Sequence, residues 1–199
     1  EDLLLIARAD QGALPLRTEP VGVGELLSTV TERFARRANE QGQPLEARAT
    51  SAFVAADQTR VEQALANLVD NALAHGAGPI DLFAVERDDV VELHVVDAGS
   101  GFPAGFVERA FDRFSRADEA RTTGGSGLGL SIVALIAQAH GGSVGAANRP
   151  DGGADVWLAL PRARASQRAG GVNAGTEPSF RGAPYSHSAS GTDTEPPSS

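Results

Sequence analysis

The chain has 199 residues, 41% hydrophobic and 22% charged, a composition that fits one globular domain plus further segments. A net charge of −9 gives no bulk attraction to nucleic acid or to an anionic membrane surface, and neither is expected as a partner of this chain. Cysteine is absent, which excludes disulfides, thiolate metal sites and a cysteine nucleophile, and no apolar run approaches the roughly 20 residues that span a bilayer.

Residues 1–11 carry Leu3, Leu4, Ile6 and Ala7 and read as the last turns of an amphipathic helix that Gly12 ends. The chain opens on Glu1-Asp2 without a methionine and without a signal-peptide pattern, so we expect a fragment cut inside a helix, with a membrane segment compatible upstream. Residues 14–20 contain Pro15 and Pro20 and read as an extended connector. A helix is expected over 24–41, where Leu26, Leu27, Val30, Phe34 and Ala38 keep helical spacing. Short strands are expected at 44–49 and 53–56. A helix over 58–74 follows, with Val61, Leu65, Leu68 and Ala72 on one face and Gln63, Asn67 and Asn71, spaced four apart, on another.

Residues 80–85 and 90–96 read as a strand pair that turns at Asp88-Asp89. A glycine-containing loop (98–103), a short helical piece (106–111) and a polar segment expected to be mobile (112–126) come next. An apolar helix then runs to His140, and residues 143–147 and 154–160 form a hairpin around Asp151-Gly152-Gly153. From Arg162 onward Ser, Gly, Pro, Thr and Ala dominate. Such a tail buries too little apolar surface to offset chain entropy and is expected to be disordered. The division is thus a helix end and connector over 1–19, a domain over 20–161 and a tail over 162–199.

Four features carry chemistry. In Gly124-Gly125-Ser126-Gly127-Leu128-Gly129-Leu130, alternate glycines feed a helix start, whose unpaired N–H groups favour phosphate; the same pattern also describes a plain flexible loop. No Lys-Ser/Thr follows, so it is not a P-loop. Asp97 ends an apolar strand in Val95-Val96-Asp97-Ala98-Gly99-Ser100-Gly101; its carboxylate suits a donor such as the amine of adenine, or closes an Asx-turn. Asn67 and Asn71 lie one turn apart, and amide oxygens suit Mg²⁺ completed by water and phosphate. Asparagine is a poor choice inside a helix, which leans the pair toward function. Arg113, Arg116 and Arg121 suit phosphate, or a solvated face.

In order, N-x-x-x-N on a helix, D-x-G-x-G after a strand, Ala110-Phe111-Asp112-Arg113-Phe114-Ser115-Arg116-Ala117-Asp118, and G-x-G-L-G-L into a helix resemble the ATP-binding domain of sensor histidine kinases. These belong to the superfamily that includes DNA gyrase, the heat-shock chaperone ATPases and the mismatch-repair ATPases. The resemblance covers about 20–161, and residues 3–12 look like the end of the second helix of a dimerisation and phosphoacceptor domain. It implies an α/β (α+β) two-layer sandwich of the Bergerat type, a mixed sheet with helices on one face. It implies that Asn67 ligates Mg²⁺, that Asn71 meets phosphate or metal, and that Asp97 holds the adenine amine above Gly99 and Gly101. Arg116 and Arg121 would stabilise the terminal phosphates from a lid, with Gly125, Gly127, Leu128 and Gly129 closing over the triphosphate. Asn67, Arg116 and Arg121 would be the catalytic set.

Two departures stand out. ATP-hydrolysing branches of the superfamily place a glutamate base at the position held here by Gln63, and many histidine kinases carry Lys or Arg where this chain has Ala74. The resemblance implies a protein-histidine kinase that binds Mg²⁺-ATP, phosphorylates a histidine on the dimerisation domain of a homodimer, and feeds a response-regulator receiver domain. It would lie in the cytoplasm, with the full-length protein compatible with a plasma-membrane anchor. The acceptor, a His followed by Glu or Asp, is not present: His75, His94, His140 and His187 are followed by Gly, Val, Gly and Ser, and His94 and His140 read as structural. An anti-sigma-type serine kinase of the same fold and a non-catalytic ATP-binding module are the alternatives.

Overall fold

The computed structural model describes residues 14–113 and 127–163. In chain order they form β1 (Glu19–Gly22), α1 (Val23–Glu40), β2 (Leu45–Ala47), β3 (Phe53–Ala56), α2 (Gln58–His75), β4 (Ile80–Glu86), β5 (Val90–Val96), α3 (Gly129–Ala139), β6 (Ser143–Asn148) and β7 (Ala154–Pro161). Five strands make a sheet in the order β2-β4-β5-β7-β6. The β2/β4 pair is parallel and the other three pairs are antiparallel, so the sheet is mixed. Strands β1 and β3 form a separate antiparallel ribbon, linked to the chain's exit by a bridge between Val54 and Arg162.

Strand alternation decides which face is covered. Val91, Leu93 and Val95 of β5 and Val156, Leu158 and Leu160 of β7 are buried on one face. They join Leu26, Leu27 and Val30 of α1, Val61, Leu65 and Leu68 of α2, and Ile132, Val133 and Ile136 of α3 in one core. The helices therefore cover one face, giving the two-layer sandwich. The opposite face carries a ladder of rings: Phe83 stacks on His94 with centroids 4.9 Å apart, and His94 on Trp157 at 5.4 Å. These residues stand opposite one another across β4, β5 and β7. The Nδ1 of His94 also bonds Asp155 at 2.8 Å.

Three expectations change. Residues 19–22 form β1 rather than the end of a bare connector; Pro20 fits because the ribbon is edge-like and a missing N–H is tolerated there. The strand expected over 44–49 shortens to Leu45–Ala47 at the sheet edge. The helical piece over 106–111 is a single 3₁₀ turn, Val107–Arg109, because so few residues cannot repay helix nucleation. The helix expected over 1–11, the tail beyond Ala163 and the segment 114–126 lie outside the described residues.

Helix α2 is anchored at its start by Asp57. One carboxylate oxygen caps the Arg60 N–H at 3.2 Å and the other accepts from the Arg17 N–H at 3.0 Å. The Asp57 N–H donates to Nε2 of His140 at 2.9 Å, while Nδ1 of His140 donates to the Ile136 carbonyl at 2.7 Å. Asp57 thus locks the start of α2 to the end of α3. Replacing this cap, Asp57→Ala, is expected to lower the unfolding free energy by about 1–2 kcal/mol. Urea unfolding followed through the fluorescence of Trp157 measures it, and an unchanged midpoint would contradict a stabilising cap.

Candidate functional site

The site is built on the end of α2. Gly76 follows its last turn, its N–H donating to the Ala72 carbonyl at 2.8 Å. Its φ of −81° and ψ of −174° suit any residue, so conformation does not explain a glycine here. Contact does. A Cβ on Gly76 would lie 2.7 Å from Cγ of Asp97 and 2.6 Å from the Ala72 oxygen. The helix that carries Asn67 and Asn71 therefore ends directly on the carboxylate of Asp97. From above, Gln43 donates from Nε2 to the Gly76 carbonyl at 3.1 Å and holds that turn.

Asp97 is 6% exposed at the end of β5. Its N–H pairs with the Ala154 carbonyl at 3.0 Å, which continues the β5/β7 ladder by one step. Oδ1 accepts from the Gly99 N–H at 2.8 Å, an Asx-turn of the kind the sequence allowed. Among the described residues Oδ2 has no partner, so one oxygen organises the loop and the other remains for a ligand donor. Gly99 lies against the Gly76 Cα and the Ala77 N–H. Gly101 has φ +75°, and a Cβ there would sit 2.6 Å from Oδ1 of Asn148. Asp97, Gly99 and Gly101 thus form one surface with the end of α2.

Asn67 and Asn71 sit on the same side of α2, both half-buried. Among the described residues Nδ2 of Asn67 is buried without a hydrogen-bond partner, an expensive state for an amide. Gly129, the first residue of α3, faces it: a Cβ added there would lie 3.9 Å from Cβ of Asn67. The N-cap residue of α3, Leu128, offers no side-chain cap. The N–H groups of that helix start and an unpaired amide donor therefore share one place, which suits an anionic oxygen. Leu128, 5% exposed, plugs the helix into the core beneath it, and Gly127 has φ +69°. Asn67 lies nine residues from Gly76, about 14 Å along the helix axis. A ligand reaching from Asp97 to the start of α3 must be elongated, with a donor-bearing end and an anionic end.

The described residues contain no cluster of three His, Cys, Asp or Glu side chains suited to a metal. A cation here would take one amide oxygen from Asn67 and its other ligands from phosphate and water, a set that suits Mg²⁺. The unpaired Nδ2 of Asn67 is a donor and suits a phosphate oxygen, which leaves Oδ1 as the atom that would face a cation. Gln63, one turn before Asn67, accepts from Nη1 of Arg60 at 3.0 Å. It is a neutral amide engaged by its neighbour, so it offers no base. Ala74 is exposed and contributes no charge.

The structure thus brings together Asn67, Asn71, Asp97, Gly99, Gly101, Gly127, Leu128 and Gly129. Arg116, Arg121 and Gly125 lie outside the described residues. Sequence reasoning missed Gly76, Gln43 and Asn148. The only signal at Gly76 was a glycine after a helix, which reads as an ordinary stop. If its identity is set by contact with Asp97, Gly76→Ala weakens adenine-nucleotide binding about tenfold or more, roughly 1.4 kcal/mol. Calorimetric titration checks this against Gly42→Asn, at a φ of +67° with no atom nearby, which is expected to bind like the parent chain.

Comparison with known proteins gives concordant results. Residues 56–164 match the family model described as histidine kinase-, DNA gyrase B-, and HSP90-like ATPase. A probable sensor histidine kinase of Mycobacterium tuberculosis (strain CDC 1551 / Oshkosh) is 41% identical over 165 residues, 82% of this chain and 43% of that protein. Sensor histidine kinase component HK1 of Mycobacterium tuberculosis (strain ATCC 25618 / H37Rv) is 47% identical over 112 residues, 56% of this chain and 67% of that protein. Among solved structures, full-length ShkA in complex with AMPPNP superposes with a TM-score of 0.73 at 33% identity, covering 82% of this chain and 35% of that one. The ATP-binding domain of PrrB from Mycobacterium tuberculosis gives 0.60 at 31% identity, covering 74% and 98%. The chain therefore spans less than half the length of the first of these relatives.

Proposed function

We infer the function from one premise: this chain belongs to the histidine kinase-, DNA gyrase B- and HSP90-like ATPase family, as the ATP-binding catalytic domain of a sensor histidine kinase. The reading is that it binds Mg²⁺-ATP and donates the γ-phosphoryl group to a histidine on a dimerisation domain, in a homodimer, for relay to an aspartate of a response-regulator receiver domain. The observation that carries it is the pairing of two unlike sites on α2. A buried carboxylate with a spare acceptor oxygen stands at its C-terminal end, and an unpaired amide donor beside the start of α3 stands midway along it.

Each residue then has a chemical task. Oδ2 of Asp97 accepts from the exocyclic amine of adenine, and the Gly99–Gly101 backbone lies under the ring. The N–H groups at the start of α3 receive phosphate oxygens, and Asn71 adds an amide toward them. Asn67 would hold Mg²⁺, which when bound neutralises phosphate charge. Arg116 and Arg121 would meet the terminal phosphate. In the transfer, the bond from the γ-phosphorus to the bridging oxygen breaks as a P–N bond to the imidazole forms. ADP leaves, and the proton on the other ring nitrogen of the phosphorylated imidazole is released to solvent. Positioning and charge neutralisation account for most of the catalysis in such a step.

Gln63 supports transfer over hydrolysis. Water needs a base to become a nucleophile, and an amide held by Arg60 supplies none. A neutral imidazole already has its lone pair. Gly127 and Gly129 differ in what they should tolerate. Gly127→Ala forces a side chain into φ +69°, whereas among the described residues Gly129→Ala meets only ordinary contact with Asn67. A loss at Gly129→Ala therefore reports the phosphates rather than the fold.

Two assays test the reading. Asp97→Ala is expected to abolish Mg²⁺-ATP binding by calorimetry; intact binding contradicts it. With a histidine-bearing dimerisation domain supplied in trans, labelled γ-phosphate should transfer to an acid-labile product, and Gly129→Ala should slow it at least about tenfold, or roughly 1.4 kcal/mol in barrier. An acid-stable product points instead to a serine kinase, and binding without transfer to a non-catalytic module.

A further inference from the structure

Asn148 lies outside every motif that marks the site. It is the last residue of β6, exposed, at the mouth of the β6/β7 hairpin. Its side chain nevertheless makes a two-pronged bond to the loop after Asp97. Oδ1 accepts from the Phe102 N–H at 2.7 Å, and Nδ2 donates to the Phe102 carbonyl at 2.8 Å. The amide thus copies the donor and acceptor pattern of a strand partner and binds the loop as a ladder rung would.

The rest of the hairpin closes on the same loop. Arg149 donates from Nη1 to the Asp97 carbonyl at 3.3 Å, and a Cβ on Gly153 would collide with that oxygen. Within the hairpin, the Arg149 N–H pairs with the Gly153 carbonyl at 3.0 Å, which fixes the loop that presents both neighbours. On the other side, Gly101 leaves the space that Oδ1 of Asn148 fills. The stretch 98–102 is otherwise held near its start, through the Asp97–Gly99 bond and the Ala98 N–H to the Ala77 carbonyl at 3.0 Å. Asn148 is the clamp at its far end.

We propose that Asn148 is a positioning residue for the base: by pinning Phe102 it holds the Gly99–Gly101 backbone at the height where a ring lies flat and presents its amine to Asp97. The inference rests on the ATP-binding reading given above. Asn148 bonds Phe102 rather than Asn67 or the start of α3, so its effect belongs to the base end. It raises affinity and base discrimination together and leaves the contribution of the phosphates unchanged.

The test uses the 199-residue chain, with Mg²⁺-ADP and Mg²⁺-IDP as probes. IDP has the same phosphates but lacks the exocyclic amine. The parent chain is expected to favour ADP. Asn148→Ala, at an exposed position, should bind ADP about fivefold more weakly and show a narrowed preference for ADP over IDP. Asn148→Asp, of the same shape, keeps the acceptor for the Phe102 N–H and sets a carboxylate oxygen against the Phe102 carbonyl. It should lose at least as much. Circular dichroism and the urea midpoint confirm that both variants are folded under assay conditions. The proposal is overturned if either folded variant binds ADP within about 1.5-fold of the parent, or loses ADP and IDP by equal factors. A parent chain that binds neither nucleotide overturns the ATP-binding reading itself, and is seen before any variant is compared.

Discussion

The approach of Gly76 to Asp97 is the constraint on which the site depends. The two residues belong to different layers, one ending a helix and one ending a central strand. A Cβ at Gly76 would stand 2.7 Å from Cγ of Asp97, so no other residue lets the helix end where it does. Because α2 is rigid, that contact also sets the distance from Asp97 to Asn71 and Asn67. The carboxylate that would read a base and the amides that would face phosphate are therefore placed by one helix and one contact.

The far end of α2 is fixed by a second device. Asp57 caps the helix and, by donating its N–H to Nε2 of His140, ties it to the end of α3. Helix α3 begins beside Asn67 and ends beside Asp57, so it runs along α2 with its uncapped start at the site and its closed end away from it. Leu128, Ile132 and Ile136 bury that alignment in the core. Burying side chains of this size contributes about 1.5–3 kcal/mol each. Apolar packing sets where the helix start sits, and the polar groups use the position.

Much of this was legible in the sequence, for physical reasons. Helical periodicity marked α1 and α2, because their apolar stripes meet a single sheet face. Asn67, Asn71 and Asp97 were legible because each is costly in its place unless something satisfies it. The ribbon strand β1 was not, since Glu19–Gly22 becomes a strand only by pairing with Phe53–Ala56, more than thirty residues on. Gly76 was hidden by resembling a helix stop, and Asn148 by resembling a turn residue. Both act through contacts between segments distant in the chain, which local pattern does not encode. His94 and His140 show the converse. Each has a reactive side chain, yet the structure spends both on packing and hydrogen bonds within the scaffold.

On the proposed function, one elongated ligand spans from Asp97, at the C-terminal end of α2, to Asn67 and the start of α3. The direct measurement is a nitrogen-15 NMR titration of the chain with Mg²⁺-ADP. The amides of Gly76, Gly99 and Gly101 at the base end, and of Gly129 and Leu130 at the helix start, should shift together with one dissociation constant. Val85 and Gly145, on strands away from the site, should stay in place. Shifts confined to one end, or two ends titrating with different constants, would contradict a single site built along the helix.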